Sequence, residues 1–289
     1  MSRLRIEEGV VKGVSRMGFV VALAIGFVSP VSAQPPAGGQ QPAAAHDATD
    51  LAKASQNPVG DLISLPFQFN FNTDGGLEDR TFFNLNFQPV MPIKVTSRVN
   101  LIARTIVPIV SIPGPDGLRF SGVADIQQQV FFTPSAPGKV IWGVGPAFSI
   151  PTATADIAKT GTWAGGFDAV ALTMHGPWVI GGLLSQFWPM SDAGGEPETN
   201  QFVFQWFVNY NFGKGWALST APLNTANWDA EDGQQWTVPL GLGISKTTAF
   251  NGRPMTLGAQ YYYNIKRPDG AAATQLRFNV ALLYPIAKK

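Results

Sequence analysis

Apolar and polar residues alternate along most of the chain with a period of two. Phe67, Phe69 and Phe71 alternate with Gln and Asn, and Phe202–Asn211 carries Phe, Trp, Val and Tyr on one parity. Side chains of a β-strand point to alternate faces, so each such segment has one apolar and one polar face. Segments of this kind begin near residues 62, 81, 97, 118, 139, 162, 178, 200, 215, 235, 255 and 274. The pattern therefore predicts an all-β fold of about twelve strands.

The connections between these segments alternate in character. Longer loops follow the odd-numbered segments, at 73–80, 113–117, 151–161, 189–199, 223–234 and 267–273. Mostly tighter turns follow the even-numbered ones, at 91–96, 134–138, 175–177, 211–214 and 246–254. The long loops hold twelve of the seventeen acidic residues beyond residue 33 and the short turns hold none, so the two ends differ. An even number of antiparallel strands with long loops at one end and short turns at the other is typical of an up-and-down outer-membrane barrel.

Alternation alone leaves open which face looks inward, because a soluble barrel or sandwich buries its apolar face and a membrane barrel turns it to lipid. Three features favour the membrane barrel. The polar faces carry mostly Asn, Gln, Ser and Gly, which suits a wet lumen. The last segment, Gln275–Tyr284, alternates like a closing strand, and we expect it to be recognised by the barrel-assembly machinery. Seven of the eight tryptophans lie near strand ends, where an aromatic girdle would form: Trp142, Trp163, Trp178, Trp188, Trp216, Trp228 and Trp236.

Composition supports this assignment and excludes other classes. Charged residues make up 13% of the chain, about half the usual share for a soluble domain, while 45% are hydrophobic. A formal net charge of +1 offers no basic surface for nucleic acid. The absence of cysteine excludes disulfides, zinc–cysteine sites and a cysteine nucleophile. The expected partners are outer-membrane lipid and a small-molecule solute.

The first sixty residues predict two segments ahead of the barrel. Basic residues precede an apolar stretch at Gly18–Val28, which is too short to span a bilayer as a helix, so residues 1–33 are expected to be a secretory signal cleaved after Ala33. Residues 34–60 form a Pro/Gly/Gln-rich linker, and residues 61–289 form the outer-membrane barrel. No later stretch is long and apolar enough for a transmembrane helix.

A short helix is expected within this linker. Residues 47–56 are compatible with one or two helical turns, capped by Asp47 or Asp50. Pro58 and Gly60 would stop the helix.

Seven sequence blocks are specific enough to compare with known proteins. They are Gln56–Gln68 (QNPVGDLISLPFQ), Ile141–Pro146 (IWGVGP), Gly176–Gly181 (GPWVIG), Asn200–Phe202, Phe207–Asn211 (FVNYN), Trp236–Gly241 (WTVPLG) and Gln275–Phe278 (QLRF). Together they resemble a family of Gram-negative outer-membrane β-barrel transporters grouped with meta-pathway phenol-degradation proteins. Some members carry the label "neuromedin U", a hormone name that nothing in these residues supports. The resemblance spans about residues 50–285 and implies a barrel transporter without a catalytic motif.

Residues for catalysis are scarce. An outer-membrane hydrolase of the His/Ser/Asn type needs a histidine bonded to its serine at the lipid-facing outer rim, whereas His175 lies in a short turn at the opposite end and His46 lies in the linker. Gly-x-Ser-x-Gly is absent, and Asp229–Gly233 lacks the spacing of an EF-hand loop. We therefore expect no enzyme activity, no metal site and no cofactor.

The candidate functional residues are the polar ones on the inward parity. Constant alternation places these side chains in the lumen: Arg98, Asn100, Arg104, Arg119, Asp125, Gln127, Gln129, Tyr262, Asn264, Lys266, Arg277 and Asn279. Two interpretations stay open. Arg104, Arg119 and Asp125 form a salt-bridged network that fills the lumen, or the surplus of basic groups biases passage toward anions. Pro146 and Pro239 lie inside predicted strands and mark bulges or a locally opened wall.

Three functions follow from this pattern. The first is a passive outer-membrane channel for small solutes, aromatic or anionic, because twelve strands leave a narrow bore. The alternative is a closed structural or adhesive barrel whose pore is plugged by the Asp47–Pro58 segment and whose acidic loops are the working surface. A secreted lipocalin-like binder is the third, and fractionation with the outer membrane would exclude it.

Overall fold

The computed structural model describes residues 48–75, 77–155, 158–191 and 198–286, and strands dominate it. Among these residues, the α-helix α1 spans Ala48–Ser55 and a 3-10 turn spans Leu77–Asp79. The strands are β1 Leu62–Thr73, β2 Phe82–Phe87, β3 Val90–Lys94, β4 Val99–Pro113, β5 Arg119–Val123, β6 Ile126–Pro134, β7 Val140–Ile150, β8 Ala164–His175, β9 Trp178–Pro189, β10 Gln201–Gly213, β11 Trp216–Thr220, β12 Leu223–Asn227, β13 Trp236–Phe250, β14 Arg253–Lys266 and β15 Thr274–Pro285. The predicted signal segment and the linker up to residue 47 lie outside the described residues.

All strands belong to one antiparallel sheet that closes on itself. The last strand, β15, pairs with β1 from Leu62 opposite Pro285 to Thr73 opposite Thr274. Three barrel strands are each interrupted once, as β2/β3, β5/β6 and β11/β12, so the fifteen strands occupy twelve positions around the wall. The prediction of a closed, twelve-stranded antiparallel barrel is confirmed.

On most strands the more apolar parity faces outward. On β13, Leu240, Leu242 and Ile244 are all exposed, and Leu242 is 58% exposed, while the residues between them face the lumen. Exposed tryptophans ring the long-loop end at Trp163, Trp188 and Trp228 and the short-turn end at Trp142, Trp178 and Trp216. An apolar outer wall between two aromatic belts is the surface of an outer-membrane barrel. None of the helices among the described residues is long and apolar enough to cross a membrane.

Three predicted connections differ from the structure. The turn predicted at 246–254 is reduced to residues 251 and 252, because β13 continues to Phe250 and β14 begins at Arg253. The loop predicted at 223–234 is shorter, because β12 (Leu223–Asn227) resumes pairing with β10 after a break at Ala221 and Pro222. Pro222 has no N–H for the ladder, so this stretch of sequence resembles a strand end. The turn predicted at 91–96 begins later, because β3 continues to Lys94 and residues 95 and 96 both bond the Val99 carbonyl.

Two β-bulges reverse the facing of side chains within a barrel strand. Ile109 pairs with Val123 but Ile106 pairs with Gln127, so the fourth barrel strand carries one extra residue at the junction of β5 and β6. Val238 pairs with Lys266 and Pro239 with Asn264, which leaves Ile265 as the extra residue on β14. Each extra residue inverts the alternation beyond it. The bulge predicted beside Pro239 is confirmed.

Pro146 has a different effect on the wall. Pairing between β6 and β7 runs as far as Gln129 opposite Ala147 and resumes at Phe132 opposite Val144. The proline lies in this interruption, where it has no N–H to offer β6. On its other side the ladder with β8 continues, with Pro146 opposite Phe167.

Candidate functional site in the barrel lumen

A cavity of about 180 Å³ lies inside the barrel, toward the long-loop end. Its polar lining comes from β1, β2, β4, β6, β9, β10, β12 and β15 and from the β2–β3 junction: Gln68, Asn86, Gln88, Arg104, Gln127, Gln129, Ser185, Gln201, Gln205, Thr225 and Arg277. Its apolar lining consists of Ile106, Pro108, Leu183, Phe187, Val203 and Leu223. Among the described residues that line the cavity, none is acidic.

Arg104 is held on the cavity wall by amide oxygens. Its Nη1 donates to Gln129 Oε1 at 3.2 Å, and its Nη2 donates to Gln88 Oε1. Gln129 in turn donates from Nε2 to Asp168 Oδ1 at 3.0 Å and to Ser185 Oγ at 2.9 Å. These bonds reach from β6 past β7 to β8 and β9, because β7 presents only the small Ala147 opposite Gln129.

Arg277 is fixed on β15, three strand positions around the wall from Arg104 on β4, and is only 3% exposed. Its guanidinium donates to Asn70 Oδ1 at 3.0 Å, to the Ala221 carbonyl at 3.1 Å and to Gln275 Oε1 at 2.8 Å. The guanidinium carbon also lies 4.8 Å from the ring centroid of Tyr262, whose hydroxyl accepts a bond from the Ala221 N–H at 3.0 Å. Arg277 and Tyr262 therefore satisfy the backbone exposed by the break between β11 and β12.

Most of the sequence-predicted lumen residues do lie on the inward face. Asn100, Arg104, Gln127, Tyr262, Asn264, Arg277 and Asn279 share the inward parity of their strands. Asn100 donates to Asp61 Oδ1 at 2.9 Å near the short-turn end. Asn264 donates to the Ala272 carbonyl at 2.7 Å near the long-loop end, so it supports a loop.

Three basic residues lie elsewhere. Arg119 is opposite Pro113 on the outward parity, where it donates to the Thr81 and Ser111 carbonyls, and Lys266 is exposed on the outer face. The bulges between β5 and β6 and at Ile265 are the cause, because constant alternation fails across an extra residue. Arg98 is exposed in the turn before β4. Their predicted places in the lumen were wrong.

The predicted network of Arg104, Arg119 and Asp125 does not form. Asp125 is buried at the β5–β6 bulge and accepts bonds from the backbone of Thr152 at 2.9 Å and Ala153 at 2.8 Å and from Thr160. Its role is to hold the loop after β7 against the wall. A salt bridge joins Arg80 and Glu78 at 3.5 Å, on the long-loop rim.

Sequence reasoning missed the acidic member of the lumen. Asp168 is fully buried and faces inward, and its Oδ2 has no hydrogen-bond partner among the described residues. Its strand begins Ala164-Gly165-Gly166, so the apolar alternation is weak and the facing could not be read from it. Ser185 was missed for the same reason, because it lies in a poorly alternating strand, whereas Gln88 lies on the regular polar parity of Asn84 and Asn86 and could have been included.

The short-turn half of the lumen is closed by apolar side chains and by the segment before β1. Val59 is 4% exposed and packs with Ile102, Phe131, Leu172 and Phe207. The predicted helix is confirmed as α1, although Asp50 lies inside it and does not cap it.

Polar bonds attach this segment to the wall. Gln56 and Asn211 exchange two amide bonds of 3.0 Å, one in each direction. Ser55 Oγ lies 3.5 Å from Thr256 Oγ1 on β14. The segment is therefore docked inside the short-turn mouth.

No catalytic constellation stands beside this lumen among the described residues. His175 is the one histidine of that part of the chain, and it is exposed beside the tight turn between β8 and β9. The described residues also contain no group of three or more acidic or histidine side chains that could hold a metal.

Solved structures share this architecture. An outer-membrane channel from Pseudomonas putida F1 superposes with a TM-score of 0.58 at 13% identity, over 77% of this chain and 94% of the other. The CymD monoaromatic hydrocarbon channel gives 0.45 at 9% identity, over 83% of this chain and 92% of the other. Outer membrane phospholipase A from Escherichia coli gives 0.43 at 11% identity, over 78% and 99%.

The apolar outer wall between two aromatic belts, together with the closed fold, defines the chain as an outer-membrane β-barrel. No protein-family model matches the chain, and no curated protein matches it in sequence. The family grouping suggested by the seven sequence blocks therefore stays a prediction.

Proposed function

We propose that the chain is a passive outer-membrane channel for small solutes. This proposal rests on the polar cavity that contains two arginines. The cavity lies inside a barrel whose outer wall is apolar. A buried cation inside a membrane-spanning barrel is costly, and a barrel that served only as a structural anchor would not need one. The small size of the cavity limits traffic to small molecules.

A second candidate function is a closed barrel, and the docked N-terminal segment favours it. Val59 and Gln56 hold the N-terminal segment in the short-turn mouth of the barrel, so a solute can pass only if this segment moves. In this case the acidic long loops would be the working surface. The two candidates differ in what happens when the segment is removed.

Liposome swelling with the full chain and with residues 34–58 deleted separates them. A channel predicts solute entry with the full chain, which becomes faster after the deletion, whereas a closed barrel plugged by this segment predicts entry only after the deletion. Val59→Ala should give an intermediate rate, because losing about 1.5 kcal/mol of apolar contact weakens docking about tenfold. Heat-modifiable gel mobility of each variant controls for folding.

Two further expectations belong to this proposal. Residues 1–33 are removed on export, which N-terminal sequencing of the mature protein tests. The residues Gln275–Tyr284 at the closing strand are recognised by the barrel-assembly machinery. Replacing the outward Phe278 and Tyr284 by serine should slow assembly, whereas Asn279→Ser on the inward face should not.

A further inference from the structure

We infer that the lumen cavity is a binding site for a small organic monoanion, a carboxylate with a compact apolar body. This inference rests on the proposed channel function and names the class of solute. It follows from three properties of the cavity wall: its charge, its division into a polar and an apolar side, and its volume.

The wall carries positive charge that no neighbouring carboxylate cancels directly. In the described part of the chain, the guanidinium groups of Arg104 and Arg277 donate only to neutral oxygens, of Gln88, Gln129, Asn70, Gln275 and the Ala221 carbonyl. An arginine bonded to neutral oxygens keeps its full charge, and a low-dielectric wall strengthens its attraction for an anion. A carboxylate would find charge-assisted donors here.

The overall charge of the cavity wall favours a ligand that carries a single negative charge. Asp168 is separated from Arg104 by the Gln129 amide. With Asp168 ionised, two arginines and one aspartate leave a net charge of +1 around the cavity. A monoanion neutralises this charge, whereas a dianion would leave an uncompensated negative charge inside the barrel.

The remaining lining divides the cavity into two sides. Gln68, Gln127 and Gln205 supply amide groups that can donate to carboxylate oxygens without adding charge. Ile106, Leu183, Phe187 and Val203 supply an apolar surface, which offers nothing to an inorganic anion but stabilises a hydrocarbon body. The ligand therefore has one charged end and one apolar end.

The volume indicates the size of the ligand. A partly open space of about 180 Å³ suits one compact ring or a short chain. Benzoate is a suitable probe, since benzamide has the same shape without charge and benzylammonium has the opposite charge.

Calorimetric titration of the folded, full-length protein in detergent micelles tests the inference. We expect benzoate to bind at least about tenfold more tightly than benzamide, benzylammonium or sulfate, as the loss of one charge-assisted interaction predicts. Arg104→Gln should remove this preference. The matched control Lys266→Gln removes a basic group from the outer face and should leave benzoate affinity unchanged.

A second variant keeps the test independent of Arg104 and its bonds. Gln127→Glu adds a negative charge to the lining, and we expect it to weaken benzoate and to strengthen benzylammonium. Equal affinities for the three aromatic probes, or an Arg104→Gln protein that folds and keeps its benzoate preference, would overturn the inference. Binding without conductance contradicts only the channel proposal, and conductance without benzoate binding contradicts only this inference.

Discussion

Arg104 on β4 and Asp168 on β8 both face the lumen, and no direct ion pair joins them. Gln129 lies between them, accepting from Arg104 Nη1 at 3.2 Å and donating to Asp168 Oδ1 at 3.0 Å. The Gln129 amide dipole interacts with both charged groups, and the two charges stay separate. Arg104 therefore remains available to the cavity, and Asp168 reduces the positive potential there without occupying the arginine.

Replacing Asp168 by asparagine should raise anion selectivity. The introduced amide keeps an oxygen for Gln129 but removes the negative charge, so the anion-to-cation permeability ratio should rise about twofold. This corresponds to ~0.5 kcal/mol for one charge about 8 Å from the permeating ion in a water-like dielectric. The reversal potential under a KCl gradient measures the ratio. Asp229→Asn, outside the lumen, is the matched control, and equal shifts in both variants would contradict the assignment.

The two bulges predict a difference in chemical accessibility. The chain contains no cysteine, so single substitutions give clean labelling sites. A charged, membrane-impermeant thiol reagent should reduce the conductance of Gln127→Cys, whose side chain faces the lumen, and leave that of Arg119→Cys unchanged. Asn264→Cys and Lys266→Cys form a second such pair around Ile265. Block of the Arg119→Cys protein by the reagent would show that the β5–β6 bulge is absent.

The strands could be predicted from sequence because alternation is a local property. Phe67–Asn72 and Gln275–Tyr284 keep one parity along their whole length, and the structure pairs β1 with β15 over twelve residue pairs. The predicted inward orientation was wrong for Arg119 and Lys266, because one extra residue in each strand reverses the alternation. Pro239, on the strand opposite Ile265, marked one of these bulges; Pro108 lies opposite the other, at Ala124 and Asp125, but was not recognised as its marker.

Tyr262 should contribute to stability through its hydroxyl group. Tyr262→Phe leaves the Ala221 N–H without its partner, and a buried unsatisfied donor costs about 1–3 kcal/mol. The ring beneath Arg277 is retained, so only the hydrogen bond changes. Urea unfolding followed by tryptophan fluorescence should show a lower midpoint. Tyr261→Phe, on the exposed outer face, should stay close to the parent, and equal midpoints for both variants would refute this role for Tyr262.

The seam between the first and last strands should be sensitive to acid at its long-loop end. Asp74 accepts bonds from Thr274 Oγ1 at 2.7 Å and from Thr73 Oγ1 at 3.1 Å, and these bonds, the one from Thr274 first, lower the pKa of Asp74 below its ordinary 3.8. A lowered folded pKa stabilises the fold fully above 3.8, and the stabilisation is lost as the pH falls through the folded value.

Asp74→Asn tests this seam directly. The parent should unfold at a higher urea concentration than the variant at neutral pH, and the difference should shrink as the pH falls below 3.8. A difference that is independent of pH would show that the carboxylate charge is not involved.

The site was harder to predict than the wall because it depends on contacts between distant strands. Arg104 and Arg277 could be placed in the lumen from parity alone. Nothing in the local pattern indicates that Arg277 bonds Ala221, since the break between β11 and β12 becomes visible only when β10 and β13 are in place. Asp168 meets Gln129 only because Ala147 on the intervening strand is small.

The most direct test of the channel proposal is conductance across a planar bilayer under a KCl gradient. We predict discrete current steps from the folded protein, more frequent when residues 34–58 are deleted, with a reversal potential on the anion side that moves toward zero in Arg104→Ala. A correctly folded, heat-modifiable barrel that adds no conductance, with or without residues 34–58, would contradict the proposal.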